Sequence, residues 1–303
     1  MVLGRHYGDI SEKLRVSILP AVENIRKFHK KQLPSGFTIN QNDGPQSRFE
    51  WRPLERVGLY IPGGRFPLFS TLLMNVIPAQ VAGVKEIAIC SPPSKSHFVD
   101  ETILAVCSIL GISEVYSIGG AQAIAALAYG TETIPAVDKI TGPGNNYVTS
   151  AKKMVSSDVD IDMLAGPTEL VVFADETASP EKIASDLIAQ AEHDEEAFPV
   201  LITADKQIAL DTNNYIDNAL EGLSTENTAR TALRDSGFAY VGKSVEECIS
   251  IINHISPEHL SLQVRSPEKL IERVTAAAIF LGSETPPAWG CLLYTSPSPR
   301  DRG

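Results

Sequence analysis

The sequence has few of the features that mark membrane proteins or nucleic-acid-binding proteins. No apolar run approaches the ~20 residues that a helix needs to cross a bilayer, and residues 1–31 lack the apolar centre of a signal peptide. Lys and Arg form no stripe, and the formal net charge is −11. These absences argue against a nucleic acid or a membrane as the main partner.

Cysteine is also scarce, with Cys90, Cys107, Cys248 and Cys291 scattered along the chain and no CxxC spacing. This usage indicates reduced thiols in a cytoplasmic protein. An aldehyde-oxidising enzyme could instead use a nucleophilic cysteine. Cys107 and Cys248 both fall within helical patterns, where a thiol in the core is the ordinary interpretation.

What is present is typical of a globular protein: 43% of the 303 residues are apolar and 21% are charged. Helix and strand patterns alternate, from a helix at 11–31 to a last strand at 277–281. This alternation predicts an α/β fold in which mostly parallel sheets are flanked by helices. The length allows one two-lobed unit or two domains, with candidate crossings near Pro62 and at 165–167.

Gln190 and His193 lie three positions apart in a predicted helix at 180–193. Residues at this spacing share nearly the same helix face. Gln190 continues the apolar row of Ile183 and Leu187, so its amide should point inward, where a metal or a polar substrate could bind it. Ordinary hydrogen bonds within the protein are the alternative, and two ligands alone do not make a zinc site.

Glu258 and His259 place an acid beside a base in the segment SPEHL at 256–260, between a predicted helix and a predicted strand. Pro257 restricts the backbone of Ser256. Adjacent side chains on a loop can reach one pocket, where a carboxylate and an imidazole divide the proton transfers. An exposed pair in a turn, without a chemical role, is the alternative.

Three glycine turns each follow a predicted strand and precede a predicted helix, at 63–64, 119–120 and 142–145. Such turns bring backbone N–H groups and a helix N-terminus toward a phosphate-bearing ligand. None matches GxGxxG, and glycine also serves tight connections for steric reasons alone. The turns therefore permit nucleotide binding without demonstrating it.

Six segments occur together in one order: GLYIPGG at 58–64, GGAQAIAAL at 119–127, KITGPGN at 139–145, AGPTE at 165–169, QAEHD at 190–194 and SPEHL at 256–260. This set resembles the histidinol dehydrogenase family from the N-terminal helix to about Gly290. The resemblance implies an NAD-dependent, zinc-requiring oxidation of L-histidinol through L-histidinal to L-histidine, the last steps of histidine biosynthesis.

Matched motif by motif, the resemblance implies that Tyr60, Gln122 and Asn145 contact NAD. It implies that Gln190 and His193 are zinc ligands that also lie beside the substrate.

Thr168 stands where the family usually has a substrate-contacting serine, and the hydroxyl is kept. Glu258 and His259 are implied as the acid/base pair, with His259 also binding substrate.

The resemblance also implies an architecture of two lobes with incomplete dinucleotide-fold topology in an intertwined homodimer. On this chain, residues 1–59 and 168–290 would form the lobe that carries the metal and acid/base residues. Residues 60–167 would form an inserted lobe that contacts NAD.

The chain departs from the family after Gly290. The segment TPPAWG at 285–290 resembles one that precedes a zinc-binding aspartate, but Cys291 follows it here. Residues 291–303 have no helix or strand period, which predicts a disordered tail or an artefactual end. By this resemblance, the implied aspartate and a later glutamate and histidine are expected but do not occur in the sequence, and the N-terminal leader is expected to be shorter than in the family. We therefore expect weak or no activity from the 303-residue chain.

Two other interpretations remain open at the level of sequence. A non-catalytic relative could bind a nucleotide or a partner, although such a protein has no need of Gln190, His193, Glu258 and His259 together. Another alcohol could also be oxidised at the same site.

Overall fold

The computed structural model describes residues 12–40, 44–63, 68–94, 97–164, 168–223 and 225–287. The chain divides into two compact units, residues 1–164 and 165–303. The predicted tail at 291–303 and Cys291 lie outside the described residues. None of the described helices has the length and apolar character needed to cross a membrane.

The first unit contains helices α1–α5 and strands β1–β7. Its helices are α1 (Glu12–Lys30), α2 (Phe69–Ala82), α3 (Glu101–Ile109), α4 (Gly120–Tyr129) and α5 (Asn146–Val155). Its strands are β1 (Phe37–Asn40), β2 (Gln46–Phe49), β3 (Arg56–Tyr60), β4 (Glu86–Ser91), β5 (Glu114–Ser117), β6 (Lys139–Thr141) and β7 (Asp160–Ile161).

The second unit contains helices α6–α9, one 3₁₀ helix (Pro267–Arg273) and strands β8–β12. Its α-helices are α6 (Pro180–Ala191), α7 (Lys206–Leu220), α8 (Glu226–Asp235) and α9 (Val245–Ile255). Its strands are β8 (Glu169–Ala174), β9 (Phe198–Thr203), β10 (Phe238–Val241), β11 (His259–Gln263) and β12 (Ala278–Leu281).

Each unit has a five-stranded parallel sheet, and the two sheets share one topology. The strand orders are β5-β4-β3-β6-β7 and β10-β9-β8-β11-β12, so the first strand of each sheet lies at its centre. This is the order of dinucleotide-binding folds, whose ligand crevice lies where the chain reverses direction across the sheet. The predicted α/β class is confirmed, and the crevice position falls between β3 and β6 in the first unit.

The apolar cores explain why these strands are central. All five residues of β3 are buried, and so are the last five of β8, as expected for strands covered by helices on both faces. One face of the first sheet packs with α1, α2 and α3, and the other with α4 and α5. A separate antiparallel hairpin, β1–β2, is exposed along its length and was not predicted.

The lobe boundaries in the structure differ from those inferred by resemblance for residues 1–59. Helix α1 packs on α2, where Arg26 donates a hydrogen bond to the Gln80 side chain at 2.9 Å. Strand β3 pairs with both β4 and β6, so a boundary at residue 60 would divide the centre of a sheet from its neighbours. These contacts place residues 12–59 in the first unit.

Ion pairs close the amino edge of the first sheet. Arg56, at the start of β3, donates to Glu86 at 2.8 Å and to Glu114 at 3.0 Å, at the starts of β4 and β5. Burial raises the pKa of Glu114, but the hydrogen bonds from Arg56 and Tyr116 outweigh it and the pKa lies below its usual value. The amino edge of this sheet is therefore occupied by charged groups that pair with one another.

Asp186 joins α6 to the second sheet. Its carboxylate accepts a hydrogen bond from Gln263 Nε2 at 2.8 Å. Burial raises the pKa of Asp186 to about 6, although the bond from Gln263 opposes this shift. Because the folded state binds this proton more tightly than the unfolded chain, stability falls as pH rises from about 4 to 6.

Asp186→Asn keeps an oxygen for Gln263 and removes the charge. We expect its free energy of unfolding to exceed that of the parent by about 1–2 kcal/mol near pH 7, with partial solvation limiting the gain. Little difference is expected near pH 4, and urea titrations at both pH values measure it. Asp211→Asn is the control, because Asp211 accepts a similar bond from Gln207 at 2.9 Å at the surface. An equal gain for Asp186→Asn at both pH values would contradict the expectation.

Candidate active site

The candidate acid/base residues lie at the amino edge of the second sheet. Strands β8 and β11 are parallel neighbours, with His259 opposite Leu170. This register places Thr168 and Glu169 beside Glu258 and His259. The sequence predicted a loop for both residues. His259 is instead the first residue of β11, so the prediction of a loop is wrong for His259.

The backbone of Ser256 is not extended, although the residue before a proline usually is. Ser256 has φ 47° and ψ 61°, in the left-handed region that few non-glycine residues adopt. It ends α9, and its N–H donates to Ile252 O at 2.8 Å while its hydroxyl donates to Asn253 O at 2.7 Å. These hydrogen bonds stabilise the turn that precedes Glu258 in the chain.

Glu258 is half-buried and its carboxylate is bound from the neighbouring strand. Its Oε2 accepts from the Thr168 hydroxyl and from Glu169 N–H, each at 3.4 Å. Burial raises the pKa of Glu258 above its usual value; His259 and the Glu169 N–H oppose this shift, and the charge of Glu169 adds to it. A carboxylate with a raised pKa is a stronger base near neutral pH.

His259 has a defined orientation, with 12% of its side chain exposed. Its Nδ1 lies 3.1 Å from Glu169 O and 3.5 Å from Glu258 Oε2. A carbonyl oxygen only accepts hydrogen bonds, so Nδ1 carries the proton in the neutral ring. Nε2 then carries the lone pair and can take a proton from a ligand.

Gln190 connects this cluster to α6. Its side chain is half-buried, and Nε2 donates a hydrogen bond to the Thr168 hydroxyl. The polar row therefore runs from Gln190 through Thr168 to Glu258. The amide that the sequence predicted to point inward does find a polar partner.

His193 lies outside the helix that was predicted to carry it. Helix α6 ends at Ala191, and His193 occupies the turn that follows, with an exposed side chain. Its N–H bonds to Gln190 O at 3.3 Å, a tighter closure than an α-helix makes. The prediction of one shared helix for Gln190 and His193 is therefore wrong.

A zinc site needs more ligands than these two residues offer. In the described ranges, no group of three or more His, Cys, Asp or Glu side chains is placed to hold a metal ion. Zinc sites take three or four protein ligands. The described residues thus do not complete a zinc site, and ligation by Gln190 and His193 stays a prediction.

The predicted NAD contacts lie at the carboxyl edge of the first sheet. Tyr60 ends β3 and is 4% exposed, and its hydroxyl accepts from Gly120 N–H at 3.1 Å. Gln122 is exposed on the first turn of α4. Asn145 caps α5 by accepting from Tyr147 N–H at 3.1 Å and Val148 N–H at 3.2 Å, and its own amide N–H groups are not used in this cap.

At two of the glycine turns at this edge, a side chain larger than that of glycine would not fit. Gly142 has φ 115°, and a Cβ there would overlap the carbonyl oxygen of Tyr60. A Cβ on Gly119 would meet Pro92 Cγ at 2.5 Å. Gly64 lies outside the described residues. The N-termini of α4 and α5 can therefore approach an anionic ligand, which fits the pyrophosphate of a dinucleotide.

An ion pair at the Gly142 turn, between a buried lysine and a partly exposed aspartate, was missed from the sequence. Lys152 is 3% exposed; it donates to Gly142 O at 3.1 Å and pairs with Asp162. Asp162 Oδ2 accepts from Gly142 N–H at 2.7 Å. The signal was available, because Lys152 lies on the apolar face of α5 with Val148 and Ala151.

The cysteines do not provide a nucleophile in the part of the chain that the structure describes. Cys90, Cys107 and Cys248 are buried and unoxidised. Burial raises the pKa of Cys90 and of Cys107 to about 12, and it also raises the pKa of Cys248. Reactive cysteines need the thiolate form, so these three are core residues.

The carboxyl edge of the second sheet is occupied by its own hydrogen bonds. Asp175 accepts from Arg265 N–H at 2.8 Å and from Thr177 N–H at 2.9 Å. Arg265 also pairs with Glu176 at 3.0 Å. This edge carries carboxylates where the first sheet has glycine turns, so it does not suit a phosphate.

Known proteins resemble the chain in sequence and structure. The profile of the histidinol dehydrogenase family matches residues 2–296. Histidinol dehydrogenase from Halalkalibacterium halodurans is 46% identical over 91% of this chain and 65% of its own length. A crystal structure of histidinol dehydrogenase from Elizabethkingia anophelis aligns with a TM-score of 0.89 at 42% identity, covering 93% of this chain and 65% of that one.

A more distant structure shows how widely the fold is used. γ-Glutamyl phosphate reductase from Thermotoga maritima aligns with a TM-score of 0.51 at 15% identity, covering 92% of this chain and 73% of that one. This likeness concerns the fold alone. The chain spans about two thirds of the length of the histidinol dehydrogenases it matches. From the extent of the profile match and the identity to these relatives, the chain belongs to the histidinol dehydrogenase family.

Proposed function

We propose that the residues of this chain serve the oxidation of L-histidinol through L-histidinal to L-histidine with NAD, in a cytoplasmic enzyme of histidine biosynthesis, with weak or no turnover by the 303-residue chain itself. The observation that carries the proposal is the Thr168–Glu258–His259 cluster, which offers two distinct proton acceptors at one sheet edge. Family membership supplies the substrate class. An intertwined homodimer belongs to the same proposal.

The first unit would bind NAD at its carboxyl edge. NAD supplies the hydride acceptor for both oxidation steps. Asn145 would donate the amide N–H groups that its helix cap does not use, and Gln122 is exposed beside the N-terminus of α4. Tyr60 would support the NAD site indirectly, because its hydroxyl accepts a hydrogen bond from Gly120 N–H at the start of that helix.

His259 would serve the first oxidation. As hydride leaves the alcohol carbon, the hydroxyl proton passes to Nε2, which carries the lone pair because Nδ1–H is directed at Glu169 O. The products are the aldehyde, reduced NAD and a protonated imidazole. Glu258, 3.5 Å from Nδ1, would stabilise that imidazolium charge.

Glu258 would serve the second oxidation. Its carboxylate would take a proton from the water that attacks the aldehyde carbon, which forms the hydrated aldehyde. Once His259 has released its first proton to solvent, loss of hydride from that carbon to a second NAD, with loss of a hydroxyl proton to His259, yields the carboxylic acid. Buried Cys107 and Cys248 have no part in this scheme.

Thr168 and Gln190 would bind the substrate, since their side chains already form one polar row with Glu258. His193 would join them from the turn after α6. In this proposal Gln190 and His193 also contribute to zinc binding. No proton or hydride transfer above is assigned to the metal.

Single-turnover NADH formation at high protein concentration tests the proposal with and without added zinc. Glu258→Gln should lower the rate of histidinal oxidation by about 10²–10⁴-fold, and His259→Asn should lower histidinol oxidation by a similar factor. Cys107→Ala and the surface change Glu268→Gln are the controls and should retain the parent rate. Rates unaffected by both site variants would overturn the proposal.

Calorimetric titration of NAD tests the first unit separately. Asn145→Asp keeps a good helix cap but puts a negative charge where the pyrophosphate would lie, so affinity should fall about tenfold while thermal stability is retained. The neutral cap Asn145→Ser separates the charge from the loss of the amide. NAD binding without NADH formation by the parent chain would favour a non-catalytic nucleotide-binding relative.

A further inference from the structure

Glu169 contacts both members of the acid/base pair through three different groups. Its N–H donates to Glu258 Oε2 at 3.4 Å, and its carbonyl oxygen lies 3.1 Å from His259 Nδ1. Its carboxylate Oε2 accepts from Glu258 N–H at 3.3 Å. Backbone and side chain of one residue thus reach the carboxylate, the peptide and the imidazole of the pair.

The parallel register explains the two backbone contacts. Because His259 lies opposite Leu170, the first residue of β8 is next to the peptide that joins Glu258 and His259. Any residue at position 169 would offer this N–H and this carbonyl. The side-chain contact is different, because it needs an acceptor of the right length on position 169.

The charge of Glu169 is not needed for that hydrogen bond. A neutral amide oxygen would accept from Glu258 N–H equally well in geometry. A carboxylate instead places a second negative charge beside the half-buried Glu258. Like charges disfavour ionisation of their neighbours, so Glu169 makes the Glu258 carboxyl hold its proton more tightly.

We propose that Glu169 is a positioning residue for the acid/base pair, which fixes the peptide before His259 and strengthens Glu258 as a base through its charge. The catalytic meaning of this inference rests on the proposed function. The effect of Glu169 on the titration of Glu258 is independent of that function, since the titration can be measured in a chain that turns over no substrate.

The titratable groups that contact Glu258, within the described residues, are Glu169 from β8 and His259 from β11. Strand β12 presents only backbone to this peptide, where Ala278 N–H donates to Glu258 O at 2.9 Å. A change at Glu169 therefore alters one of the two titratable groups that contact Glu258. The repulsion between the Glu169 and Glu258 carboxylates sets the direction in which a change at Glu169 moves the titration of Glu258.

Carboxyl ¹³C NMR of the glutamate-labelled chain measures the titration of Glu258, with its resonance identified by its loss in Glu258→Gln. In Glu169→Gln, which keeps the acceptor and removes the charge, Glu258 should ionise at lower pH than in the parent. Glu268→Gln, a surface change in the same unit, should leave the Glu258 titration in place. An unmoved Glu258 resonance in folded Glu169→Gln overturns the proposal.

The pH profile of histidinal oxidation is the second measurement. The acidic limb of the profile should move to lower pH in Glu169→Gln, and the plateau rate should fall about threefold to tenfold because a weaker base transfers the proton more slowly. A lower plateau with an unmoved acidic limb would show a purely structural role and would also overturn the proposal. If the parent chain forms no NADH, the proposed function fails while the NMR titration still decides the role of Glu169.

A second variant covers the case in which Glu169→Gln does not fold. Glu169→Asp keeps the charge and an acceptor but withdraws both from Glu258 by about one methylene group. The Glu258 titration should then move in the same direction by a smaller amount. A folded Glu169→Asp with the parent titration would count against the proposal.

Discussion

Lys152→Met should lower the free energy of unfolding of the first unit by about 1–3 kcal/mol, because it removes the cation that pairs with the partly exposed Asp162 and the hydrogen bond to Gly142 O. Lys152 is 3% exposed and is held by Asp162 and by the carbonyl of Gly142. The methionine fills a similar volume, so the lost ion pair and hydrogen bond dominate the effect. Denaturant unfolding followed by circular dichroism measures it.

The neighbouring residue provides the control for Lys152→Met. Lys153 is exposed in the same turn of α5, and Lys153→Met should change stability by less than about 0.5 kcal/mol. Replacing both charged partners, as Lys152→Met with Asp162→Asn, should recover part of the loss, since the unpaired charge is removed while an oxygen remains to accept from Gly142 N–H. Equal losses for the Lys152 and Lys153 variants would show that the Lys152–Asp162 pair does not hold the fold.

Gly142→Ala should destabilise the first unit by about 3–5 kcal/mol and abolish detectable NAD binding. At φ 115° an L-residue is strained, and the new methyl group would overlap the carbonyl oxygen of Tyr60. Either β3 or the turn after β6 must move, and both lie at the proposed nucleotide edge. Thermal unfolding and NAD calorimetry on the same preparation report the two effects.

Gly111→Ala separates backbone strain from steric overlap. Gly111 has φ 72°, but no atom lies within 4 Å of the position that its Cβ would occupy. Its substitution should cost only about 1–2 kcal/mol, the penalty for the left-handed region itself. If both glycine variants lose the same stability, the contact between Gly142 and Tyr60 is not the cause.

The fold could be predicted from the sequence because its strongest signals are local. Alternating apolar strands and amphipathic helices predicted an α/β protein. The start of α9 is one such local feature, since the Ser244 hydroxyl accepts from Glu247 N–H at 3.2 Å. The exposed hairpin β1–β2 was missed because neither of its strands has a buried face. The formation of this hairpin is therefore not explained by the burial of an apolar face.

The candidate site was predictable in composition and only partly in geometry. Short motifs named Thr168, Gln190, Glu258 and His259, and the structure brings Gln190, Thr168 and Glu258 into one hydrogen-bonded row. Helix ends follow from a few hydrogen bonds, so the end of α6 before His193 was not visible in the sequence. The proposed role of Glu169 depends on the pairing of β8 with β11, which joins residues 89 positions apart in the sequence.

Two sheets with the same strand order carry the two proposed sites at opposite edges, glycine turns at the carboxyl edge of one and the Glu258–His259 pair at the amino edge of the other. Each edge is supported by its own core, so the two are separate targets for protein engineering. Changes around Asn145 could alter the choice between dinucleotides while leaving base strength intact. Changes around Glu169 could retune the working pH and leave the nucleotide turns as they are.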